Sequence, residues 1–468
     1  MSRRHDLVVI GAGSGGLVGA TFAAQLGAKV ALVEEHRIGG DCTWTGCVPS
    51  KALLKAAKVA HTARRAADYG IQTGPIATDM GRVTARVRRA IDAVYAEEDP
   101  AALASRGIEF IAGAAEFVDG HTVRVGEQLL EARRILICTG ARAAVPPIPG
   151  LADVPFLTYE HFFENERLPG HLIVLGAGPI GLEMALAYRR LGAGVTVVGE
   201  QVLPREEPEV QAFVTQMLER EGMRLVRGTV SAVRREAEQF VLDTPDGAVQ
   251  GDMLLVATGR RARVDGLALE RAGIAHGPAG ITVDRFLRTS APHIYAAGDV
   301  TGDYQFTHFA AWQAFQAVRN ALLPGRSAAV ADVVPWVTFL DPEVAHVGLT
   351  EADARAQHGD RIRVHRREMA HADRAVADGE TRGFIKVVAN ADGVVLGATI
   401  VASRAGEMIG EYALALRHKL SLSDLAGTIH AYPTWSTALQ QVAADAATGR
   451  FLGSMTGRLA LRVAGLGR

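Results

Sequence analysis

The segment Asp6–Gly16, DLVVIGAGSGG, decides the fold of this 468-residue chain. It predicts an apolar strand, a glycine-rich turn of the form G-x-G-x-x-G and a helix, and a second apolar strand follows at Lys29–Glu34. This order of elements is typical of a dinucleotide-binding unit, because the glycines allow a tight turn and the close approach of a pyrophosphate. The residues expected to bind that dinucleotide are Gly11, Gly13, Gly16 and, through a ribose hydroxyl, Glu34.

The same pattern recurs at His171–Gly181, HLIVLGAGPIG, and leads into the strand Val195–Val198. One such pattern is weak evidence, whereas two in the correct context indicate two dinucleotide sites. Glu200 follows the strand, and no arginine appears before Arg205, which favours NADH over NADPH because an acid accepts from a free ribose. The second set of expected contacts is Gly176, Gly178, Gly181 and Glu200.

Two of the three cysteines, Cys42 and Cys47, lie in GGDCTWTGCVPSK, Gly39–Lys51. Five residues of straight helix rise about 7.5 Å, and Cα atoms joined by a disulfide lie about 4.4–6.8 Å apart. The two thiols can therefore bond only across an irregular segment. A helix should begin near Pro49, with Cys47 close to its positive end, which favours the thiolate. A zinc half-site and two inert thiols are the alternatives, although Cys138 lies in an apolar strand and offers no second pair.

Composition narrows the class of protein. Fifty Lys and Arg against 51 Asp and Glu give a net charge of -1, so neither nucleic acid nor a membrane is expected as a partner. Three cysteines do not make a secretory disulfide framework, no signal peptide is apparent, and the apolar runs are too short for a membrane span. We therefore expect a cytoplasmic protein.

Together these motifs resemble the FAD-dependent pyridine nucleotide–disulfide oxidoreductases, the family of dihydrolipoamide dehydrogenase, glutathione reductase and mercuric reductase. The cysteine segment resembles the redox motif of that family, and the two glycine-rich turns resemble its FAD and nicotinamide fingerprints. The further matching segments are VATGRR (Val256–Arg261), IYAAGD (Ile294–Asp299) and VGLTE (Val347–Glu351). The resemblance covers essentially the whole chain.

The resemblance implies a role for each matching residue. Cys47 would be the thiolate against the flavin, and Cys42 would attack the acceptor. Lys51 and Glu183 would pair near flavin N5, where a cation stabilises negative charge. The resemblance further implies FAD contacts at Lys51, Thr139, Gly140 and Asp299, and an NAD(P) contact at Gly259.

The expected fold is α/β, with two Rossmann-like dinucleotide-binding domains and a C-terminal α+β dimerisation domain. The expected domains are a discontinuous FAD-binding domain (1–148 and 265–332), an NAD(P)-binding domain (149–264) and a dimerisation domain (333–468). The implied assembly is a homodimer whose active site is shared across the interface.

One segment departs from the disulfide reductases of the family, which carry a histidine that acts as acid and base. In IHAYPTWST, Ile429–Thr437, Tyr432 occupies that position and His430 lies two residues upstream. Tyrosine titrates near 10 rather than 6.5, and losing acid–base help costs about 10²–10⁴-fold. Mercuric reductase has tyrosine there, where it binds mercury. The segment after Arg450 holds no cysteine pair of the kind found in that enzyme, and an additional N-terminal metal-binding domain is not expected.

The predicted function is electron transfer from NAD(P)H through FAD to a redox-active Cys42–Cys47 disulfide and then to a small-molecule or metal-ion acceptor. The acceptor is expected to resemble that of mercuric reductase, Hg²⁺ or another thiol-reactive species, with no resident metal. The alternatives are a disulfide reductase similar to dihydrolipoamide dehydrogenase, a diaphorase or quinone reductase, and a non-catalytic flavin redox sensor.

Overall fold

The computed structural model describes residues 3–329, 331 and 333–466. These residues form two compact units. The first comprises the described residues of Met1–Pro204 and Thr215–Val330, and the second those of Arg205–Val214 and Ala331–Arg468. Within the described ranges, no helix combines the length and apolar character that crossing a membrane requires.

The N-terminal part of the first unit is built on a parallel sheet. The strands of this sheet are β1 (Arg3–Ile10), β2 (Val30–Glu34), β3 (Ile108–Ala112), β4 (Ala115–Phe117), β5 (Thr122–Val125) and β6 (Gln128–Ile137), and β7 (Ala141–Ala143) follows outside it. Its helices are α1 (Ser14–Gln25), α2 (Gly40–Trp44), α3 (Cys47–Arg64), α4 (Met80–Tyr95) and α5 (Pro100–Ser105). The parallel order is β3-β2-β1-β6, and β6 continues antiparallel through β5 to β4.

Both faces of β1 are covered, which explains its continuous apolar sequence. Leu7 and Val9 pack in one cluster with Leu17 of α1, whereas Val8 packs on the other face with Val123 of the antiparallel strands. Burial on both faces fixes the register of the strand and hence the position of the turn that follows it.

The next region repeats the parallel arrangement. Its strands are β8 (His171–Leu175), β9 (Gly194–Gly199), β10 (Arg224–Arg227), β11 (Ala232–Glu236), β12 (Gln239–Thr244), β13 (Gly247–Gly251), β14 (Met253–Val256) and β15 (Arg260–Ala262). Its helices are α6 (Tyr159–Phe162), α7 (Pro179–Leu191) and α8 (Pro208–Arg220). The parallel order is β10-β9-β8-β14, while β11, β12 and β13 form an antiparallel sheet and β15 pairs with β7.

The chain then returns to the first sheet. This part contains β16 (His276–Gly277), β17 (Gly280–Ile281), β18 (Ile294–Ala296) and α9 (Thr307–Leu322). β18 lies parallel to the end of β6, and α9 packs against α1 in one apolar cluster. The turn after β18 thereby reaches the same edge of the sheet as the turn after β1.

The second unit is an antiparallel sheet covered by helices. Its strands are β19 (Trp336–Thr338), β20 (Glu343–Gly348), β21 (Ile362–Glu368), β22 (Phe384–Asn390) and β23 (Val395–Ala402), in the order β19-β20-β23-β22-β21. Its helices are α10 (Glu351–His358), α11 (Asp373–Ala377), α12 (Ala405–His418), α13 (Leu422–Gly427), α14 (Thr437–Gly453) and α15 (Met455–Val463). The predicted fold class, two parallel nucleotide-type sheets followed by an α+β region, is confirmed.

The segment Arg205–Val214 was expected within the NAD(P)-binding domain, and the structure groups it with the C-terminal unit. The buried ammonium of Lys386 explains this grouping, because its Nζ lies 3.0 Å from Glu207 Oε1 and 2.6 Å from Glu209 Oε1. Buried charges require partners, so these carboxylates remain with the strand that carries the lysine. The domain boundaries drawn from the motifs stay predictions.

Candidate active site

The cysteine segment packs directly on the first glycine-rich turn. The Gly39 N–H donates to the Ala12 carbonyl at 2.8 Å. A Cβ added to Gly40 would lie 2.8 Å from Gly13 Cα, and Gly40 has a φ of 55°. Glycine is required for such backbone-to-backbone approach, so the segment that carries the thiols is fixed beside the turn expected to bind a dinucleotide.

A break between α2 and α3 brings the two thiols together. Thr45 and Gly46 interrupt the helix, and a Cβ on Gly46 would lie 2.7 Å from the Asp41 carbonyl oxygen. The irregular connection is therefore present as expected, although α3 begins at Cys47 rather than near Pro49. Cys42 and Cys47 are free thiols that hydrogen-bond to each other, Cys42 partly buried and Cys47 exposed.

The two sulfurs differ sharply in acidity. The hydrogen bond from Cys42 lowers the pKa of Cys47 to about 6, helped by the Thr307 hydroxyl at 3.2 Å and the charge of Lys51, while burial and Glu183 oppose the change. The same hydrogen bond, together with burial, raises the pKa of Cys42. At neutral pH the pair therefore holds one thiolate, on Cys47, and one thiol, on Cys42.

The predicted pair of Lys51 and Glu183 is formed. Lys51 Nζ lies 2.9 Å from Glu183 Oε2, joining α3 to α7. The side chain of Glu183 is only 6% exposed and that of Lys51 is 37% exposed. The buried carboxylate thus holds a cation whose charge also acts on the Cys47 sulfur.

The residues expected to bind FAD lie where strands of the first sheet end. Glu34, the last residue of β2, accepts from Ala12 N at 2.7 Å and from His36 N at 2.8 Å. Thr139 follows β6, and its hydroxyl donates to the Arg263 carbonyl at 2.7 Å. Asp299 follows β18. The carboxyl edge of parallel strands is where open α/β sheets bind ligands.

The other residues expected to contact FAD lie on the same turns. Gly140, next to Thr139, has a φ of 72°, and Asp299 starts a single helical turn. Burial raises the pKa of Asp299, opposed by the charge of Arg260. A buried carboxylate at this edge suits a ribityl hydroxyl, which can donate to it.

The first turn has the shape that a pyrophosphate requires. A Cβ on Gly11 would lie 2.4 Å from the Cys138 carbonyl oxygen, and one on Gly16 would lie 1.8 Å from that of Gly11. Gly13 meets nothing closer than 3.9 Å. Side chains are therefore excluded where helix and strand meet, while the second glycine leaves space for a ligand.

The second turn repeats this geometry. A Cβ on Gly176 would lie 2.3 Å from the Ala257 carbonyl oxygen and one on Gly181 2.2 Å from that of Gly176, whereas Gly178 has no atom within 4 Å. Glu200 follows β9 and is exposed, and Gly259 has a φ of 139°. Both turns thus fit a dinucleotide by the same steric criterion.

Sequence reasoning missed four polar side chains of this site. Ser14, at the start of α1, hydrogen-bonds to Cys42, and Thr307, at the start of α9, hydrogen-bonds to Cys47. Arg260 contacts Asp41, the residue before Cys42, at 2.5 Å, and Tyr159 donates to the same carboxylate at 3.1 Å. Arg260 lies in the quoted segment VATGRR, but no local pattern indicates that it reaches the cysteines.

In the second unit, Tyr432 and His430 have different surroundings. The Tyr432 hydroxyl donates to Asp373 Oδ2 at 3.0 Å, and the residue is 69% exposed. The His430 side chain is 8% exposed, with Nε2 3.0 Å from Glu411 Oε1 and Nδ1 2.9 Å from the Thr428 carbonyl. Because both nitrogens of the imidazole are engaged elsewhere, the structure does not bring His430 together with Tyr432.

Family models match nearly the whole chain. Residues 5–314 match the model described as pyridine nucleotide-disulphide oxidoreductase, and residues 334–443 match its dimerisation domain. The second match supports a homodimer.

Curated relatives and solved structures agree with this match. A mercuric reductase of Streptomyces lividans is 37% identical over 453 residues, 94% of this chain and 95% of the relative. The structure of LpdA from Mycobacterium tuberculosis is 30% identical, with a TM-score of 0.87 over 95% of this chain and 100% of that one. The Cu(II) complex of the HOCl-induced flavoprotein disulfide reductase RclA from Escherichia coli is 30% identical, with a TM-score of 0.86 over 94% and 99%.

Proposed function

The chain belongs to the pyridine nucleotide-disulphide oxidoreductase family and is an FAD-dependent disulfide oxidoreductase. We propose that it passes electrons from NAD(P)H to a thiol-reactive acceptor such as Hg²⁺. The observation that carries the proposal is the pair of hydrogen-bonded thiols, one of them acidic, held against the first glycine-rich turn. The ion pair of Lys51 with the buried Glu183 supports it, because the charge of Lys51 acts on the acidic thiol.

FAD, when bound along the edge that carries Gly11, Glu34 and Asp299, supplies a two-electron carrier between nicotinamide and a disulfide. In the proposed cycle NAD(P)H gives up a hydride, and the two electrons break the Cys42–Cys47 disulfide. Thr307 and Lys51 stabilise the resulting Cys47 thiolate. Cys42 retains the proton and becomes the thiol that meets the acceptor.

Mercury suits this thiol pair because soft ions prefer thiolate ligands. The thiol pair supplies two electrons that reduce Hg²⁺ to Hg⁰ as the Cys42–Cys47 disulfide re-forms, and the proton that Cys42 held is released to solvent. Mercuric reductases that are 33% to 37% identical to this chain support this acceptor. We further propose that, in the homodimer, Tyr432 of the partner subunit faces Cys42 and contributes its hydroxyl.

A Tyr432→Phe variant tests that role. We expect kcat/KM for Hg²⁺ to fall about tenfold, the effect of one lost hydrogen bond or metal contact, while the rate of flavin reduction by NAD(P)H stays unchanged. Tyr69→Phe, at an exposed tyrosine of the first unit, is the matched control. Unchanged reduction of every acceptor by the Tyr432 variant would remove this residue from the site.

The acceptor itself is identified by stopped-flow reoxidation of the two-electron-reduced enzyme. Hg²⁺ is expected to react faster than glutathione disulfide, lipoamide or quinones. Cu²⁺ is included because the RclA structure, which is similar over almost the whole chain, is a Cu(II) complex. Fastest reoxidation by a disulfide would favour the second candidate function, a disulfide reductase, and fastest reoxidation by quinones would favour a diaphorase.

We also propose that NADH is the preferred donor. Glu200 stands exposed after β9, where a carboxylate would accept from a free ribose and repel a 2′-phosphate. We expect kcat/KM to be higher for NADH than for NADPH. A Glu200→Gln variant should narrow the difference, and equal values in the wild-type enzyme would refute the assignment.

A further inference from the structure

We propose that Arg260 is a positioning residue for the redox couple: its guanidinium joins the residue before Cys42 to the turn after β18 and so fixes the cysteine segment beside the flavin site. The inference rests on the proposed function, because it assigns a residue to the same active site. It concerns Arg260, Asp41, Asp299 and Tyr159, all within the first unit.

One guanidinium binds two carboxylates that come from distant parts of the chain. Arg260 Nη2 lies 2.5 Å from Asp41 Oδ2, and Arg260 Nη1 lies 2.7 Å from Asp299 Oδ2. Tyr159 completes the cluster, since its hydroxyl donates to Asp41 at 3.1 Å and accepts from Arg260 Nε at 3.3 Å. Every nitrogen of the guanidinium thus has a partner. Nη2 and Nε contact Asp41 and the tyrosine bonded to it, while Nη1 holds the guanidinium itself against Asp299.

The cluster is sheltered from water. The side chains of Arg260, Asp299 and Asp41 are 17%, 11% and 34% exposed. Ion pairs on a fully exposed surface contribute little, whereas removing one partner of a sheltered pair leaves a charge without compensation. The planar fork of arginine also fixes direction, which the point charge of a lysine does not.

Asp41 is well placed to transmit this constraint. It lies in the first turn of α2, one residue before Cys42. Its carbonyl accepts from Thr45 N at 2.9 Å and lies against Gly46, the residue before Cys47. A shift of Asp41 would therefore change the contact between the two sulfurs, which is the main cause of the acidity of Cys47.

The pH at which Cys47 becomes a thiolate separates positioning from a simple charge effect. The groups that act on this sulfur are Cys42, Thr307, Lys51 and Glu183. Asp41→Asn removes a negative charge from the residue before Cys42, and loss of a negative charge by itself can only lower the pKa of Cys47. Loss of positioning would weaken the Cys42–Cys47 hydrogen bond and so raise the pKa of Cys47. The two explanations therefore predict shifts of this pKa in opposite directions.

The experiment follows the Cys47 thiolate across pH 4–9 in the two-electron-reduced holoenzyme by its long-wavelength charge-transfer absorbance with the flavin. A Cys47→Ser variant, which removes this absorbance, identifies the sulfur. For Asp41→Asn we expect a midpoint above that of the wild type and a fall of about tenfold in kcat for the acceptor, with FAD content and KM for NAD(P)H retained. Arg260→Lys should show the same upward shift, because a lysine cannot hold both carboxylates in place.

Asp265→Asn is the matched control, because it breaks the ion pair of Asp265 with Arg142 on β7, a pair that does not include the cysteine segment. It should behave as the wild type.

If the pH midpoint of the Cys47 thiolate in Asp41→Asn is unchanged or lower than in the wild type, the inference is wrong. A lower Tm together with an unchanged midpoint would show that Asp41 stabilises the fold without positioning the thiols. If Arg260→Lys fails to fold or to bind FAD, the Asp41→Asn variant still tests the inference. A wild-type enzyme without acceptor turnover would contradict the proposed function, whereas the midpoints of the thiolate absorbance would still test the role of Arg260.

Discussion

A Cys42→Ser variant is expected to lose reduction of thiol-reactive acceptors by on the order of 10³-fold or more, because it removes the sulfur that forms the covalent or metal-bound contact with the acceptor. Cys47 would remain beside Thr307 and Lys51, so NAD(P)H should still reduce the flavin. Steady-state turnover with Hg²⁺ and single-turnover flavin reduction measure the two half-reactions separately.

The third cysteine provides the control. Cys138 is buried, and burial raises its pKa to about 12, so it is a protonated thiol in an apolar cluster. Cys138→Ala should reduce acceptors within about twofold of the wild-type rate. Full acceptor activity in Cys42→Ser would show that electrons leave without the thiol couple, as in a diaphorase.

A Lys51→Met variant is expected to slow flavin reduction by NAD(P)H by about 10²–10³-fold, the usual effect of removing one preorganised charge from an active site. The substitution removes a positive charge from two groups. The carboxylate of Glu183, 6% exposed, loses its contact with Lys51, and the pKa of Cys47 should rise from about 6 because an attractive positive charge is gone.

The sign of the pH effect follows from this shift. Cys47 is a thiolate above its pKa, so in Lys51→Met the midpoint of its thiolate-to-flavin absorbance should move to higher pH. Glu183→Gln should move it lower, because Glu183 raises that pKa. Lys55→Met removes an exposed lysine from the same helix and should change neither rate nor midpoint. A wild-type rate of flavin reduction in Lys51→Met would exclude the cation from the reaction.

The glycine-rich turns could be predicted from sequence because their determinants are local. The apolar strands β1 and β8, the glycine spacing and the helices that follow lie within a few residues of one another, and a Cβ at Gly16 or Gly181 meets backbone oxygen of the same turn. The break between α2 and α3 was predictable for the same reason, since the glycines and Pro49 restrict only their own neighbourhood.

Other features could not be predicted from local pattern. Lys51 and Glu183 were expected to pair because of the family resemblance, as nothing within α3 or α7 indicates that these helices meet. His430 is close to Tyr432 in sequence, yet its ring is bound to Glu411 of α12. Packing of one helix on another decides such contacts.

By itself, the sequence determined the two nucleotide-type sheets with their glycine-rich turns and the irregular connection between the cysteines. The reason is that the steric limits on glycine and proline act within one turn of the chain. The helix start near Pro49 already favoured the thiolate on Cys47, whereas only the tertiary structure decided which distant groups stabilise that thiolate and which hold Asp41 in place. Thr307 lies 260 residues from Cys47 along the chain, and Arg260 lies 219 residues from Asp41. Hydrogen bonds and ion pairs form only between atoms about 3 Å apart in space. The folding of the parallel sheet sets these distances, and the order of residues along the chain does not.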